Sequence, residues 1–167
     1  MYKDLKIKTF HENMKLFKEK MVVLTWGNAS CIDRKLGVIC IKPSGIPYQK
    51  MNENDMVIVD MNGRKIDSNY NPSSDLPTHL YLYKAWNHVN GIVHTHSLYA
   101  TMFAQAKKFI PCLGTTHADV FYTNIPVTTP LEIENLNKKY ELNIGKNIVN
   151  YFLNYNINAK ERIIFAH

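Results

Sequence analysis

The spacing of apolar positions divides the chain into short alternating elements. Leu5, Phe10, Met14, Leu16 and Phe17 recur at roughly helical intervals between Lys and Glu, which predicts an amphipathic helix over residues 4–20. Val22-Val23-Leu24 predicts the start of a strand running into Gly27-Asn28. The β-branched run Val38-Ile39-Cys40-Ile41 predicts another strand, stopped by the turn signal Pro43-Ser44-Gly45. Met56 to Asp60 predicts a further strand, and Asn62-Gly63 a tight hairpin turn into Arg64-Lys65-Ile66. Residues 69–74 carry no periodicity and read as loop. Ser73 or Ser74 caps a predicted helix running to about Trp86, with Pro77 tolerated in its first turn. Gly91 to His96 reads as a short buried strand, followed by a helix from about Ser97 to Ala106. Residues 117–129 predict strand and loop. A last helix is expected from about Glu141 to Tyr155, ahead of Ile163-Ile164-Phe165-Ala166-His167, which reads as the start of a core strand. There is no internal repeat, low-complexity tract or linker, and 167 residues fit a single domain, 1–167.

Composition narrows the class. Hydrophobic residues make up 46% and charged residues 20%, which is globular and neither disordered nor fibrous. No stretch approaches the roughly 20 apolar residues of a membrane span. The N-terminus is charged throughout and has no apolar signal core, so a cytoplasmic location and no membrane contact are expected. The net charge is +6, but only Arg34, Arg64 and Arg162 are arginines, and the longest basic runs are the pairs Lys107-Lys108 and Lys138-Lys139. Scattered lysines argue against a nucleic-acid partner and fit a small phosphorylated substrate equally well. Cys31, Cys40 and Cys112 lack C-x-x-C spacing and read as reduced, structural thiols.

Three local patterns carry candidate chemistry. In a strand, His94 and His96 point to the same side, so two imidazoles converge as a divalent metal such as zinc requires. The plainer reading is two unrelated histidines at a strand end. Asp75, His79, His117 and Asp119 are candidate further ligands or proton carriers. Second, Gly27-Asn28-Ala29-Ser30, Lys42-Pro43-Ser44-Gly45 and Pro72-Ser73-Ser74 place glycine turns, Ser and Asn where backbone amides suit a phosphate. Ordinary turn and cap chemistry explains any one of them alone. Third, Gly114-Thr115-Thr116-His117-Ala118-Asp119 sets a His and an Asp two apart after a glycine, either for proton transfer or as a capping Asp beside a surface His.

Taken together, Leu24-Thr25-Trp26-Gly27-Asn28-Ala29-Ser30, Ile41-Lys42-Pro43-Ser44-Gly45, Pro72-Ser73-Ser74-Asp75, Gly91-Ile92-Val93-His94-Thr95-His96-Ser97, Gly114 to Asp119 and Phe121-Tyr122 resemble the class II aldolase/epimerase family of sugar-phosphate enzymes. They occur in family order over nearly the whole length. Similar aldolases carry Glu where this chain has Asp75. That Asp and the Gly114–Asp119 segment bring the resemblance closest to the epimerase branch. The resemblance implies an α/β fold of three layers, α/β/α, around a mostly antiparallel central sheet, in a fourfold-symmetric homotetramer with sites at subunit interfaces. It implies an isomerase of pentose (arabinose) catabolism, inverting C4 of L-ribulose 5-phosphate to give D-xylulose 5-phosphate. The C3–C4 bond breaks in a retro-aldol step, the aldehyde rotates, and the bond re-forms. It also implies one zinc ion per subunit and no redox cofactor. By this likeness His94 and His96 are zinc ligands, Asp75 sits at the metal, and Asp119 is an acid/base. Gly27, Asn28, Ser44, Gly45, Ser73 and Ser74 hold the phosphate. Two alternatives stand beside it: an aldolase acting on a deoxy-ketose phosphate, and a non-catalytic remnant that binds sugar phosphate or metal. Family members continue past the last strand with a second His-x-His, of which His167 matches the first, and with a later acid/base Tyr. The expectation is therefore a C-terminally incomplete domain with little or no epimerase activity.

Overall fold

The computed structural model describes residues 1–131, 139–158 and 166. The chain divides into two compact units, Met1–His96 and Ser97–His167.

The first unit is a five-stranded sheet with a helix on each face. Its strands are β1 (Asn28–Asp33), β2 (Val38–Ile41), β3 (Val57–Asp60), β4 (Lys65–Asp67) and β5 (Gly91–His94). They lie in the order β4-β3-β2-β1-β5, with every neighbouring pair antiparallel. Helix α1 (Lys3–Lys18) covers one face, where Val38, Cys40, Met56 and Ile58 meet Leu5, Phe10, Met14 and Phe17. Helix α2 (Leu76–Ala85) covers the other, where Ile32, Ile39, Ile41, Val57 and Val59 meet Leu76, Leu80 and Tyr83. Within this unit the layers are α/β/α, as expected. The run Val38–Ile41 is apolar at every position because β2 is central and both of its faces are covered.

The strand expected at 22–24 is not formed. Leu24 takes a left-handed backbone (φ 55°), and the Trp26 N–H closes a turn onto the Val23 carbonyl at 2.9 Å. The chain therefore turns before it enters the sheet, and the first strand is the more polar Asn28–Asp33. The hairpin at Asn62-Gly63 is present, with Gly63 at φ 82° and the Asp60 carboxylate accepting from the Asn62 and Arg64 N–H groups. Neither Ser73 nor Ser74 is the N-cap of α2. That position is Asp75, whose own N–H donates to Ser73 Oγ at 3.3 Å. Pro77 falls in the first turn as predicted.

The second unit holds α3 (Leu98–Gln105), whose first turn is capped by Ser97 Oγ, together with α4 (Thr115–Val120) and α5 (Tyr140–Asn154). Ile110 and Ile125 form an antiparallel bridge, and Val127 and Ala166 a parallel one. Residues 117–120, expected as strand or loop, lie in helix α4. The Ala118 and Phe121 amides bond to the Gly114 and His117 carbonyls at 3.0 and 2.8 Å, overriding the β-preference of Thr115 and Thr116. Helix α5 buries Gly145, Ile148, Val149 and Phe152 on one stripe. The strand expected at 163–167 lies outside the described residues except for Ala166. Among the described residues no helix is long and apolar enough to cross a membrane. Cys31 and Cys40 face each other across β1 and β2 as buried free thiols, and burial pushes the Cys40 thiol up to about 12, which leaves it unreactive.

Candidate active site

The site in the first unit is built where β1 begins and β5 ends, beside the start of α2. Asn28 opens β1 and pairs in register with His94, the last residue of β5. Asp75, at the N-cap of α2, is the centre of the cluster. Its Oδ2 accepts from Asn28 Nδ2 at 2.6 Å and lies 3.0 Å from His94 Nδ1. Ser73 Oγ stands 3.4 Å from the same oxygen and accepts from Asn28 Nδ2 at 3.2 Å. Burial alone would raise the Asp75 carboxyl, but the His94 contact, the neighbouring imidazoles and the Asn28 amide outweigh it and hold the group down at about 2. Asn28 is almost fully buried, and its Oδ1 has no hydrogen-bond partner.

His96 lies just beyond β5. Its ring stacks on that of His94, with centroids 4.9 Å apart and planes 19° from parallel, and the Trp26 ring packs against it at 5.6 Å. Because His94 Nδ1 faces a carboxylate, that nitrogen carries the proton of the neutral ring and the lone pair falls on Nε2. A carboxylate holding one nitrogen while the other is left open is the usual environment of a metal-bound histidine. The donor types therefore fit a divalent cation. Among the described residues, however, no three His, Cys, Asp or Glu side chains converge to hold one. His94 and His96 are the residues that would hold a metal, with Asp75 placed to orient His94. His167 lies outside the described residues.

The phosphate-loop candidates in this unit are joined by main-chain bonds. The Ser44 N–H donates to the Asn71 carbonyl and the Ser73 N–H to the Lys42 carbonyl, both at 2.9 Å, and Pro43 and Pro72 form a bridge. Ser44, Gly45 and Ser74 are exposed, and Ser73 is half-buried against Asn28. Gly27 is obligatory: at φ 79°, an added Cβ would lie 2.6 Å from Val22 Cγ1 and 3.0 Å from the His94 carbonyl. Asp119 lies exposed on α4 in the second unit, and His117 Nε2 is 3.1 Å from the Thr123 carbonyl.

Two groups that support these loops were not foreseen. Lys42, inside the Lys-Pro-Ser-Gly motif, is buried and points its ammonium at the carbonyls of Thr25, Pro43 and Ile46 at 3.2, 3.3 and 3.2 Å, with Nζ 4.7 Å from the centre of the Tyr48 ring. Burial lowers its pKa to about 8, and it remains charged at neutral pH. A lysine directly after four apolar strand residues was the available signal. Asn13, on the sheet-facing side of α1, gives no such signal. Its amide both donates to and accepts from the Ala29 backbone, at 2.9 and 2.8 Å.

A mixed α/β chain with one antiparallel sheet is the architecture of class II aldolase-like proteins, which are typically metal-dependent enzymes of sugar phosphates. Residues 9–160 match the family described as Class II Aldolase and Adducin N-terminal domain, and the chain belongs to that family. It is similar to a solved L-fuculose 1-phosphate aldolase, at 26% identity and TM-score 0.76, over 98% of this chain and 71% of that one. The fold is shared with L-fuculose-1-phosphate aldolase from Thermus thermophilus (18% identity, TM-score 0.67, 90% of this chain and 74% of that one). It is shared also with a sugar-phosphate aldolase from Thermotoga maritima (16% identity, TM-score 0.65, 89% and 77%). Class II aldolases are typically zinc-dependent.

Proposed function

We propose that this chain is an L-ribulose-5-phosphate 4-epimerase, a zinc-dependent isomerase that interconverts L-ribulose 5-phosphate and D-xylulose 5-phosphate. Gly27, Asn28, Ser44, Gly45, Ser73 and Ser74 hold the phosphate, His94 and His96 hold the metal, and Asp119 exchanges a proton with the C4 oxygen. Bound zinc would polarise the ketose carbonyl and favour heterolysis of C3–C4. The active form is taken to be a cytoplasmic homotetramer.

The observation that carries this reading is the state of Asp75. Three donors surround one of its oxygens, and the carboxyl is held down at about 2. Such a group is a poor general base near neutrality. An aldolase that releases a free ketone phosphate must put a proton on carbon after C–C cleavage, and needs a base with a better-matched pKa beside that carbon. An epimerase re-forms the same C–C bond, so only oxygen-bound protons move. A carboxylate that orients His94 and stays ionised suits the second chemistry. The similarity to L-fuculose 1-phosphate aldolase supports a second reading, cleavage of a ketose 1-phosphate.

The test uses the purified full chain loaded with zinc. Whatever turnover the chain supports should convert L-ribulose 5-phosphate to D-xylulose 5-phosphate without release of free aldehyde. Replacing His94 with Ala should remove both bound zinc and turnover. Release of dihydroxyacetone phosphate from L-fuculose 1-phosphate, with no epimerisation, would establish the aldolase reading instead.

A further inference from the structure

Beneath the Asn28–Asp75 contact lies a second, fully buried polar group that the proposed chemistry does not use. Ser30 Oγ is 2.7 Å from His79 Nδ1 and 2.8 Å from Tyr83 Oη, and Tyr83 Oη is 2.9 Å from the Ser30 carbonyl. Ser30, His79 and Tyr83 are each exposed by 1% or less. The protons of these three contacts can be counted, because the one further group at Tyr83 Oη, the Ile92 backbone N–H, can only donate and takes no proton from the set. The Ser30 carbonyl can only accept, and therefore takes the phenolic proton. Ser30 Oγ then has one proton for two neighbours. If it gave that proton to His79 Nδ1, no proton would lie between Ser30 Oγ and Tyr83 Oη, two buried oxygens 2.8 Å apart. If it gives the proton to Tyr83 Oη, His79 must donate from Nδ1. Only this second arrangement places one proton in every contact.

The set also joins the same two elements as the site above it. Ser30 follows Asn28 by two residues on β1 and shares its face. His79 follows Asp75 by one turn of α2, and its N–H donates to the Asp75 carbonyl at 3.2 Å. Tyr83 follows one turn later. Two rungs thus connect β1 to α2: Asn28–Asp75 near the surface, and Ser30–His79–Tyr83 below. The lower rung leaves no member free to turn elsewhere without stranding a buried donor or acceptor.

We propose that His79 is a positioning residue, locked by Ser30 and Tyr83 as the neutral Nδ1–H tautomer, and that this lock fixes the first turn of α2 so that Asp75 meets Asn28 and His94. The burial that keeps His79 neutral supports this assignment. The kinetic part of the test rests on the proposed sugar-phosphate reading; the spectroscopic part does not.

The experiment is 15N NMR of the histidine-labelled full chain at neutral pH, with His79 assigned by its loss in His79→Gln. A protonated Nδ1 and an unprotonated Nε2 are expected. Tyr83→Phe removes the acceptor of the Ser30 proton, which then turns to Nδ1, so His79 should move toward the Nε2–H tautomer. Ser30→Thr keeps the hydroxyl and should keep the Nδ1–H form. In Tyr83→Phe, the protected His94 Nδ1–H signal that reports the Asp75 contact should weaken. Turnover should fall by about 10- to 100-fold, with a smaller change in KM, the cost expected of a misplacement near 1 Å. An Nε2–H tautomer in the wild-type protein overturns the lock, whether or not the variants fold. A tautomer shift that leaves the His94 signal intact overturns the positioning role. Loss of the His94 signal in a chain that turns over no sugar phosphate upholds the lock and refutes only the epimerase reading.

Discussion

Acid sensitivity near pH 5 should trace to one buried imidazole. His79 is fully enclosed, and burial lowers its pKa from 6.5 to about 4, outweighing the nearby Asp75 charge that raises it. Between these values the unfolded chain carries a proton that the folded chain lacks. The unfolded state therefore binds more protons, and stability rises with pH across this window. On acidification it falls from about pH 6.5 and has lost this contribution fully below about 4. At about 1.4 kcal/mol per pKa unit, the loss is about 3 kcal/mol, a large part of a typical 5–15 kcal/mol. Asp75 acts in a separate window: its pKa is lowered from 3.8 to about 2, so its stabilisation is intact above 3.8 and is lost on going down through about 2. The assay is urea unfolding at intervals from pH 7 to pH 4, with chelator throughout, on the wild-type chain and on His79→Gln. The wild type should lose about 3 kcal/mol more than the Gln variant across the interval; His96, also lowered by burial, contributes to both. Equal slopes in the two proteins would refute the reasoning, because the acid loss would then come from elsewhere.

Asn13→Ala removes both hydrogen bonds to the buried Ala29 backbone and should cost about 3 kcal/mol in urea unfolding; a loss under about 1 would mean that water replaces the amide. Gly27→Ala forces a Cβ to 2.6 Å from Val22 Cγ1 at φ 79°, and should cost about 2 kcal/mol. Adding Val22→Ala should recover only part of that, since the left-handed backbone and the His94 carbonyl remain. Arg34 donates to the carbonyls of Tyr83, Trp86 and Val89 at the end of α2, so Arg34→Met should lower the thermal midpoint by an amount equivalent to about 1–2 kcal/mol.

Elements whose signal is local were legible in the sequence. The run Val38–Ile41, the Asn62-Gly63 turn, Pro77 in a first helical turn and the i, i+2 pair His94/His96 each encode their geometry within a few residues, and each lies where it was expected, except that His96 falls just past the strand end. Val22–Leu24 misled because β-branched composition says nothing of the left-handed turn at Leu24. Contacts between distant segments were not legible. Ser30 and His79 are 49 residues apart, and Asn13 and Ala29 are 16 apart. A polar residue on a helix face gives no sign of which backbone it will reach. The resemblance to the family named Asn28 and Asp75 as neighbours of substrate and metal; that they bond to each other is visible only once the chain is folded.

The start of β1 explains why fold and site are hard to separate in this chain. Three consecutive residues are tied alternately to the two helices: Asn28 reaches Asp75 and Ser73 at the start of α2, Ala29 is held by Asn13 of α1, and Ser30 is held by His79 and Tyr83 within α2. Alternation along the strand sends Asn28 and Ser30 to one face of the sheet, while the Ala29 backbone lies between them and is clamped from the opposite helix layer. β2 pairs with β1 only from Ser30 onward, so at Ala29 the Asn13 amide stands in for a strand neighbour. A change on the α1 side of the sheet therefore moves Asn28 through the Ala29 peptide, although no side chain of α1 is a candidate for substrate or metal. Polar contacts on both faces converge on one tripeptide, and its displacement costs the hydrogen bonds of both layers together. That shared cost is what keeps an amide and an imidazole within about 3 Å of one carboxylate at an edge of the sheet where packing alone would not hold them.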